Sequence, residues 1–101
     1  MQTADKKTVE ELQDSNEKIL LDFYADWCGP CRALTPLLQK MEEEYPDVKF
    51  LKVNVDLHGD YAVEYGVTSI PTVLVMRGKE LVDRIRGMNS ADVYKKSLSQ
   101  L

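Results

Sequence analysis

Cys28 and Cys31 are the only thiols in this 101-residue chain, and two residues separate them. A bridge between cysteines this close shuts a very small loop, which stabilises a fold little by the chain-entropy account. Chains that rely on disulfides as a scaffold carry more of them. The pair therefore reads as chemistry: thiol–disulfide exchange, in which one thiolate attacks a disulfide and the neighbouring thiol resolves the mixed disulfide. Structural zinc fits poorly, because it takes four ligands and the chain offers no further cysteine and a single histidine, His58.

Two elements must position this pair. Lys18–Ala25 is an apolar run with one Asp inside it and reads as a buried strand. Gly29-Pro30 then opens a long helix whose apolar stripe is Cys31, Leu34, Leu38, Met41 and Tyr45, with Leu37 beside it. Cys28 falls at the strand-to-helix turn and Cys31 on the apolar face. One thiol is thus expected exposed and the other sheltered. The exposed one sits at a helix N-terminus, where free amides and the helix dipole favour a thiolate. Pro30 suits the first helical position, where its missing N–H costs nothing. Cys28 is accordingly the expected nucleophile and Cys31 the resolving thiol. Pro36, inside the helix, removes one backbone bond and predicts a kink.

The strand's single acid, Asp22, shares a face with Leu20 and Tyr24. A carboxylate among apolar neighbours is costly when charged, so its pKa is expected to rise, which would let it exchange protons near neutral pH; a strand-edge acid in contact with water is the alternative.

Thr8 and Glu11 form a capping-box pattern that predicts a first helix from about Val9; the residues before Thr8 signal a strand only poorly. Val48–Asp56 alternates like a strand, and Asp60–Tyr65 reads as a short helix ended by Gly66. Thr72–Arg77 and Glu80–Arg86 read as strands joined in a hairpin at Gly78-Lys79. Ser90 is expected to cap a last helix with an apolar face of Ala91, Tyr94, Leu98 and Leu101. The alternation describes an α/β layered architecture, one domain over residues 1–101.

Hydrophobic residues make up 44% and charged residues 30%, so the chain has a globular rather than a disordered composition. No apolar run approaches the ~20 residues of a membrane helix. The net charge of −4 and the lack of a Lys/Arg cluster argue against nucleic acid. The polar Met1–Lys7 segment has no apolar signal-peptide core, which suggests the cytoplasm, and no long exposed apolar stripe demands an oligomer.

The segment Trp27-Cys28-Gly29-Pro30-Cys31, preceded by Asp22-Phe23-Tyr24-Ala25-Asp26, resembles the active-site signature of the thioredoxin family. Ile70-Pro71-Thr72 is similar to that family's cis-proline segment, and Gly87 to a glycine late in its domain. The resemblance covers essentially the whole chain. It implies the thioredoxin fold, a central mixed β-sheet flanked by helices in three α/β/α layers. It implies that Asp22 serves as acid/base for Cys31 and that Lys52 pairs loosely with Asp22; a solvated lysine whose stem covers apolar atoms is the alternative for Lys52. It further implies a cis bond before Pro71, pairing of the Ile70 backbone with a substrate strand, and a substrate surface bordered by Trp27, Gly29, Pro30, Ile70, Pro71 and Gly87. Asp26 and Arg32 flank the site with opposite charges, either tuning the thiolate or simply solvated.

Two residues depart from the family pattern. Tyr24 stands where many bacterial members carry a second tryptophan, and Arg86 precedes Gly87 where an apolar residue is common. Gly-Pro between the cysteines resembles the reducing branch of the superfamily, so the implied activity is protein-disulfide reduction. Its partners are disulfide-containing proteins and a thioredoxin reductase, an NADPH-dependent flavoenzyme, that recycles it. No bound cofactor is expected; the Cys28–Cys31 disulfide is itself the redox centre.

Overall fold

A computed structural model describes residues 1–101. In chain order the elements are β1 (Gln2–Thr3), α1 (Lys6–Asp14), β2 (Lys18–Tyr24), α2 (Gly29–Glu44), β3 (Val48–Asn54), α3 (Gly59–Glu64), β4 (Thr72–Arg77), β5 (Glu80–Arg86) and α4 (Ala91–Leu98). The strands form one sheet in the order β1-β3-β2-β4-β5. β1, β3 and β2 run parallel, while β4 is antiparallel to β2 and β5 to β4. This is the mixed sheet expected above.

The helices cover both faces. Val9 of α1 and Tyr61 and Ala62 of α3 pack on Ile19, Leu21, Phe23, Leu74 and Met76. On the other face Leu34, Leu38 and Met41 of α2 and Tyr94 and Leu98 of α4 pack on Leu20, Phe50, Val73, Val75 and Ile85. Central β2 sends alternate residues into two separate cores, which is why it reads as a continuous apolar run rather than an alternating one. Asp22 is its only acid, and 1% of it is exposed.

Several boundaries differ from the sequence reading. α1 begins at Lys6, not near Val9, because Asp5 caps it: its carboxylate accepts the Thr8 N–H at 2.9 Å and the Thr8 hydroxyl at 2.8 Å. Asp is as good a cap as Thr, and the earlier start gains backbone hydrogen bonds. β3 stops at Asn54, two residues short of the expected end, since the Asn54 side chain accepts the Asp56 N–H at 2.9 Å and turns the chain. α2 runs continuously from Gly29 to Glu44 across Pro36. β5 carries a bulge: Val75 pairs Asp83 while Met76 pairs Leu81, leaving Val82 as the extra residue. Val82 and Ile85, three apart, consequently reach the same core. Ser90 occupies the N-cap position of α4, but its side chain makes no capping hydrogen bond, and the helix also buries Ser97 beside its apolar face.

Gly78 fixes the hairpin with φ of +57°, and its N–H donates to the Glu17 carbonyl at 2.8 Å. A Cβ there would meet Asn16 Oδ1 at 2.6 Å and the Gln13 carbonyl at 3.2 Å. Gly78→Ala is expected to destabilise the fold by roughly 1–3 kcal/mol. Urea unfolding should show this as a lower midpoint with an unchanged slope.

Candidate active site

The site is built where β2 ends and α2 begins. Cys28 is the N-cap of α2, with extended backbone (φ −85°, ψ 112°), and its Sγ accepts the backbone N–H of Cys31 at 3.2 Å. A sulfur thus occupies the place usually taken by a Ser, Thr or Asp oxygen, at the positive end of a helix of 16 residues. Gly29 is the first helical residue and Pro30 the second, one place later than the sequence suggested. All the first-turn amides lack an intrahelical partner, so Pro30 still loses nothing there. Because it has no N–H, the Cys31 amide is left to bond the sulfur. The two cysteines form a disulfide with Cα atoms 5.2 Å apart.

The expected contrast between an exposed and a sheltered thiol is much reduced. Cys28 is 5% exposed and Cys31 1%. Tyr24 and Ala25 cluster with both cysteines, and Ile70 packs against the cluster from across the site, so Cys28 too is largely covered.

The loop before β4 supplies the opposite wall. The Ile70–Pro71 bond is cis, and the Ile70 carbonyl oxygen lies 4.0 Å from Cys28 Sγ. The Thr72 hydroxyl donates to the Ser69 carbonyl at 2.7 Å. Gly87, just past β5, donates its N–H to the Pro71 carbonyl at 2.8 Å and has φ of +75°. Ile70, Pro71 and Gly87 are therefore drawn to Cys28 from positions more than forty residues away in sequence. Trp27 is 68% exposed. Its indole N–H donates to Asp56 Oδ2 at 2.8 Å. Arg32 Nη1 donates to the Asp26 carbonyl at 2.9 Å, so it binds backbone there rather than the neighbouring acid.

Asp22 lies on the α2 side of the sheet, between Leu20, which packs with Leu34 and Leu38, and Tyr24, which packs with the cysteines. Neither of its oxygens has a hydrogen-bond partner within the protein. Burial raises its pKa from 3.8 to about 7, against a smaller lowering by Lys52. Lys52 is its register partner on β3. No ion pair forms between them; Lys52 Nζ instead lies over the Tyr24 ring, 4.9 Å from its centre. A cleft of about 250 Å³ bordered by Tyr24, Cys31, Thr35 and Lys52 opens beside Cys31.

Comparison with known proteins decides what this arrangement belongs to. A family model described as Thioredoxin matches residues 1–100. The chain belongs to the thioredoxin family. A thioredoxin of Chlamydia caviae is 43% identical over 82 residues, 81% of this chain and 80% of that protein. The crystal structure of mitochondrial thioredoxin 3 from Saccharomyces cerevisiae in its oxidised form superposes with a TM-score of 0.91 at 35% identity, covering 100% of this chain and 95% of that one. A Caenorhabditis briggsae protein named peptide-N(4)-(N-acetyl-beta-glucosaminyl)asparagine amidase is 41% identical over 83 residues, but the chain spans only 14% of its length. The thioredoxin fold is thus established, and a Cys-x-x-Cys pair at disulfide distance in this family is consistent with dithiol–disulfide oxidoreductase activity.

Within the thioredoxin frame, Tyr24 keeps an aromatic packed beside the cysteines and offers Lys52 a ring face. The sequence reading did not single out Asp56, whose carboxylate holds Trp27 from 29 positions away. It also missed Thr35, whose hydroxyl donates to the Cys31 carbonyl at 3.1 Å. The Thr35 bond is local, a side chain reaching back four residues within α2; the Trp27–Asp56 bond exists only once the chain is folded.

The unfolded Asp22 carboxyl titrates near 3.8 and the folded one near 7, so the folded chain holds this proton more tightly. Its contribution to stability is complete below pH ~4 and is lost as pH rises through 7, a difference on the order of 4 kcal/mol. Asp22→Asn cannot ionise. Its stability relative to the parent, measured by denaturant unfolding at each pH, should improve steadily between pH 4 and pH 8. A flat difference would show that Asp22 is not held protonated by burial.

Proposed function

We propose that this chain is a protein-disulfide reductase. The observation that carries the reading is the Cys28 sulfur seated as the cap of α2, accepting the Cys31 N–H, with the Ile70 carbonyl facing it. In the reduced protein that amide and the helix dipole stabilise a Cys28 thiolate. The thiolate attacks one sulfur of a substrate disulfide; a Cys28–substrate disulfide forms and the other substrate sulfur leaves as thiolate. Asp22, ionised in part near neutral pH, takes the proton of the Cys31 thiol, and Lys52 favours the charged carboxylate. The Cys31 thiolate then attacks Cys28 Sγ, closes the Cys28–Cys31 disulfide and releases the second substrate thiolate. Two electrons pass from the dithiol to the substrate.

Trp27, Gly29, Pro30, Ile70, Pro71 and Gly87 form the substrate surface. The free backbone groups of Ile70 accept an extended partner segment as an added strand. The pair itself carries the electrons with no bound cofactor, and a separate reductase, an NADPH-dependent flavoenzyme, restores the dithiol. A reducing compartment such as the cytoplasm suits a chain whose only cysteines are this pair.

Cys28→Ser should abolish reduction of protein disulfides, whereas Cys31→Ser should accumulate a mixed disulfide visible by mass spectrometry. Absence of that adduct would reverse the assignment of nucleophile and resolving thiol. Equilibration in thiol–disulfide buffers should give a reducing potential, roughly the −270 mV that thioredoxin itself sets. A markedly oxidising value would make the chain a disulfide donor instead.

A further inference from the structure

Tyr94 carries more than its place in the core requires. Its ring is fully buried between α4 and the sheet, a role that the sequence pattern assigns and that any large apolar side chain fills. Its hydroxyl is a polar group taken out of water, which is costly unless it is bonded. Both of its bonds go to the short irregular segment after β5. The hydroxyl donates to the Gly87 carbonyl at 3.2 Å and accepts the Asn89 N–H at 3.2 Å. The Asn89 side chain closes the same loop from within: its Nδ2 donates to the Arg86 carbonyl at 3.1 Å and to the Gly87 carbonyl at 3.3 Å. Gly87 in turn donates to Pro71, and the next residue back, Ile70, faces Cys28 Sγ. A run of contacts thus leads from the core of α4 to the nucleophile, through backbone that belongs to neither helix nor sheet.

We infer that Tyr94 and Asn89 are positioning residues that hold the Arg86–Gly87 edge of the substrate groove ready for a protein partner. This rests on the reductase reading and adds to it the device that sets the groove's second edge. A partner segment added along Ile70 lies against the Gly87 backbone as well. If that backbone is already fixed, the partner does not have to order it on binding. The chemistry at Cys28 and Cys31 is untouched, since neither Tyr94 nor Asn89 contacts a sulfur. A small disulfide that reaches Cys28 without lying along the groove should be indifferent to the loop.

The test compares Tyr94→Phe and Asn89→Ala with the parent on two substrates: insulin, a protein disulfide, and 5,5′-dithiobis(2-nitrobenzoate), a small one. Tyr94→Phe keeps the ring and so the packing; Asn89→Ala leaves the core alone altogether. In each variant, loss of one or two loop hydrogen bonds should raise KM for insulin about 3–10-fold. The kcat for insulin, the rate with the small disulfide and the potential of the Cys28–Cys31 couple should stay as in the parent. A purely structural role would leave KM for insulin unchanged in the folded variants, or lower both substrates' rates together; either result overturns the inference. Should the parent reduce insulin while both folded variants keep its KM, the inference falls alone and the reductase reading stands. Should the parent reduce the small disulfide but not insulin, the protein-disulfide reading fails and the inference with it. Should it reduce neither, the reductase reading fails and takes the inference with it.

Discussion

The arrangement depends on one hydrogen bond, from the Cys31 amide to the Cys28 sulfur. A helix needs an acceptor at its N-cap, and here the acceptor is the reactive atom. This couples the chemistry to the fold. β2 must end near Tyr24 and α2 must start at Gly29 for the sulfur to meet the amide. The buried stripe of Leu34, Leu38 and Met41 holds the helix in that rotation. With the helix so turned, Cys31 lies on the buried stripe and Cys28 caps the tip with the Ile70 carbonyl facing its sulfur, although both are covered by the same cluster.

Asp22 is where stability is given up to the site. Every other residue of β2 from Ile19 to Tyr24 is apolar and packed, and an apolar side chain in its place would leave no carboxylate without hydrogen-bond partners. Ionisation of Asp22 near neutrality follows from burial, with Lys52 opposing. Lys52 is held back from a direct ion pair and rests over Tyr24, which leaves the carboxylate able to gain and lose a proton instead of being locked as an anion.

The opposite wall of the site is a product of topology. β4 lies antiparallel to β2, so its first residue, Thr72, is paired with Phe23 near the end of β2 that leads to the cysteines. The loop that carries Ile70 and Pro71 is therefore delivered beside the start of α2. β5 returns antiparallel to β4 and brings Arg86 opposite Thr72, which sets Gly87 against Pro71. Three segments meet at one end of the sheet because strand order and direction leave them there.

Much of this was legible in the sequence. The run of β2, the stripe of α2 and the hairpin of β4 and β5 follow from hydrophobic periodicity and a turn glycine, which are local signals, and their limits were read to within a residue. The Cys-x-x-Cys spacing and the helix stripe place Cys28 at the turn and Cys31 on the apolar face, but the exposure contrast drawn from them is largely lost, since both are buried; the isolated acid in β2 announces a perturbed carboxyl. Boundaries set by competing local hydrogen bonds were read less well. Asp5 displaced Thr8 as the cap of α1, and the Asn54 side chain ended β3 early. Other features were decided by tertiary structure alone. The bulge at Val82, the covering of Cys28, the Trp27–Asp56 bond and the Tyr94 hydroxyl's hold on Gly87 all join residues that lie on different elements or exist only within a paired sheet. The sequence by itself determined which groups stand at the strand-to-helix turn, because periodicity and spacing act over a few residues; that the Ile70, Pro71 and Gly87 backbone faces them was settled only when distant strands were paired.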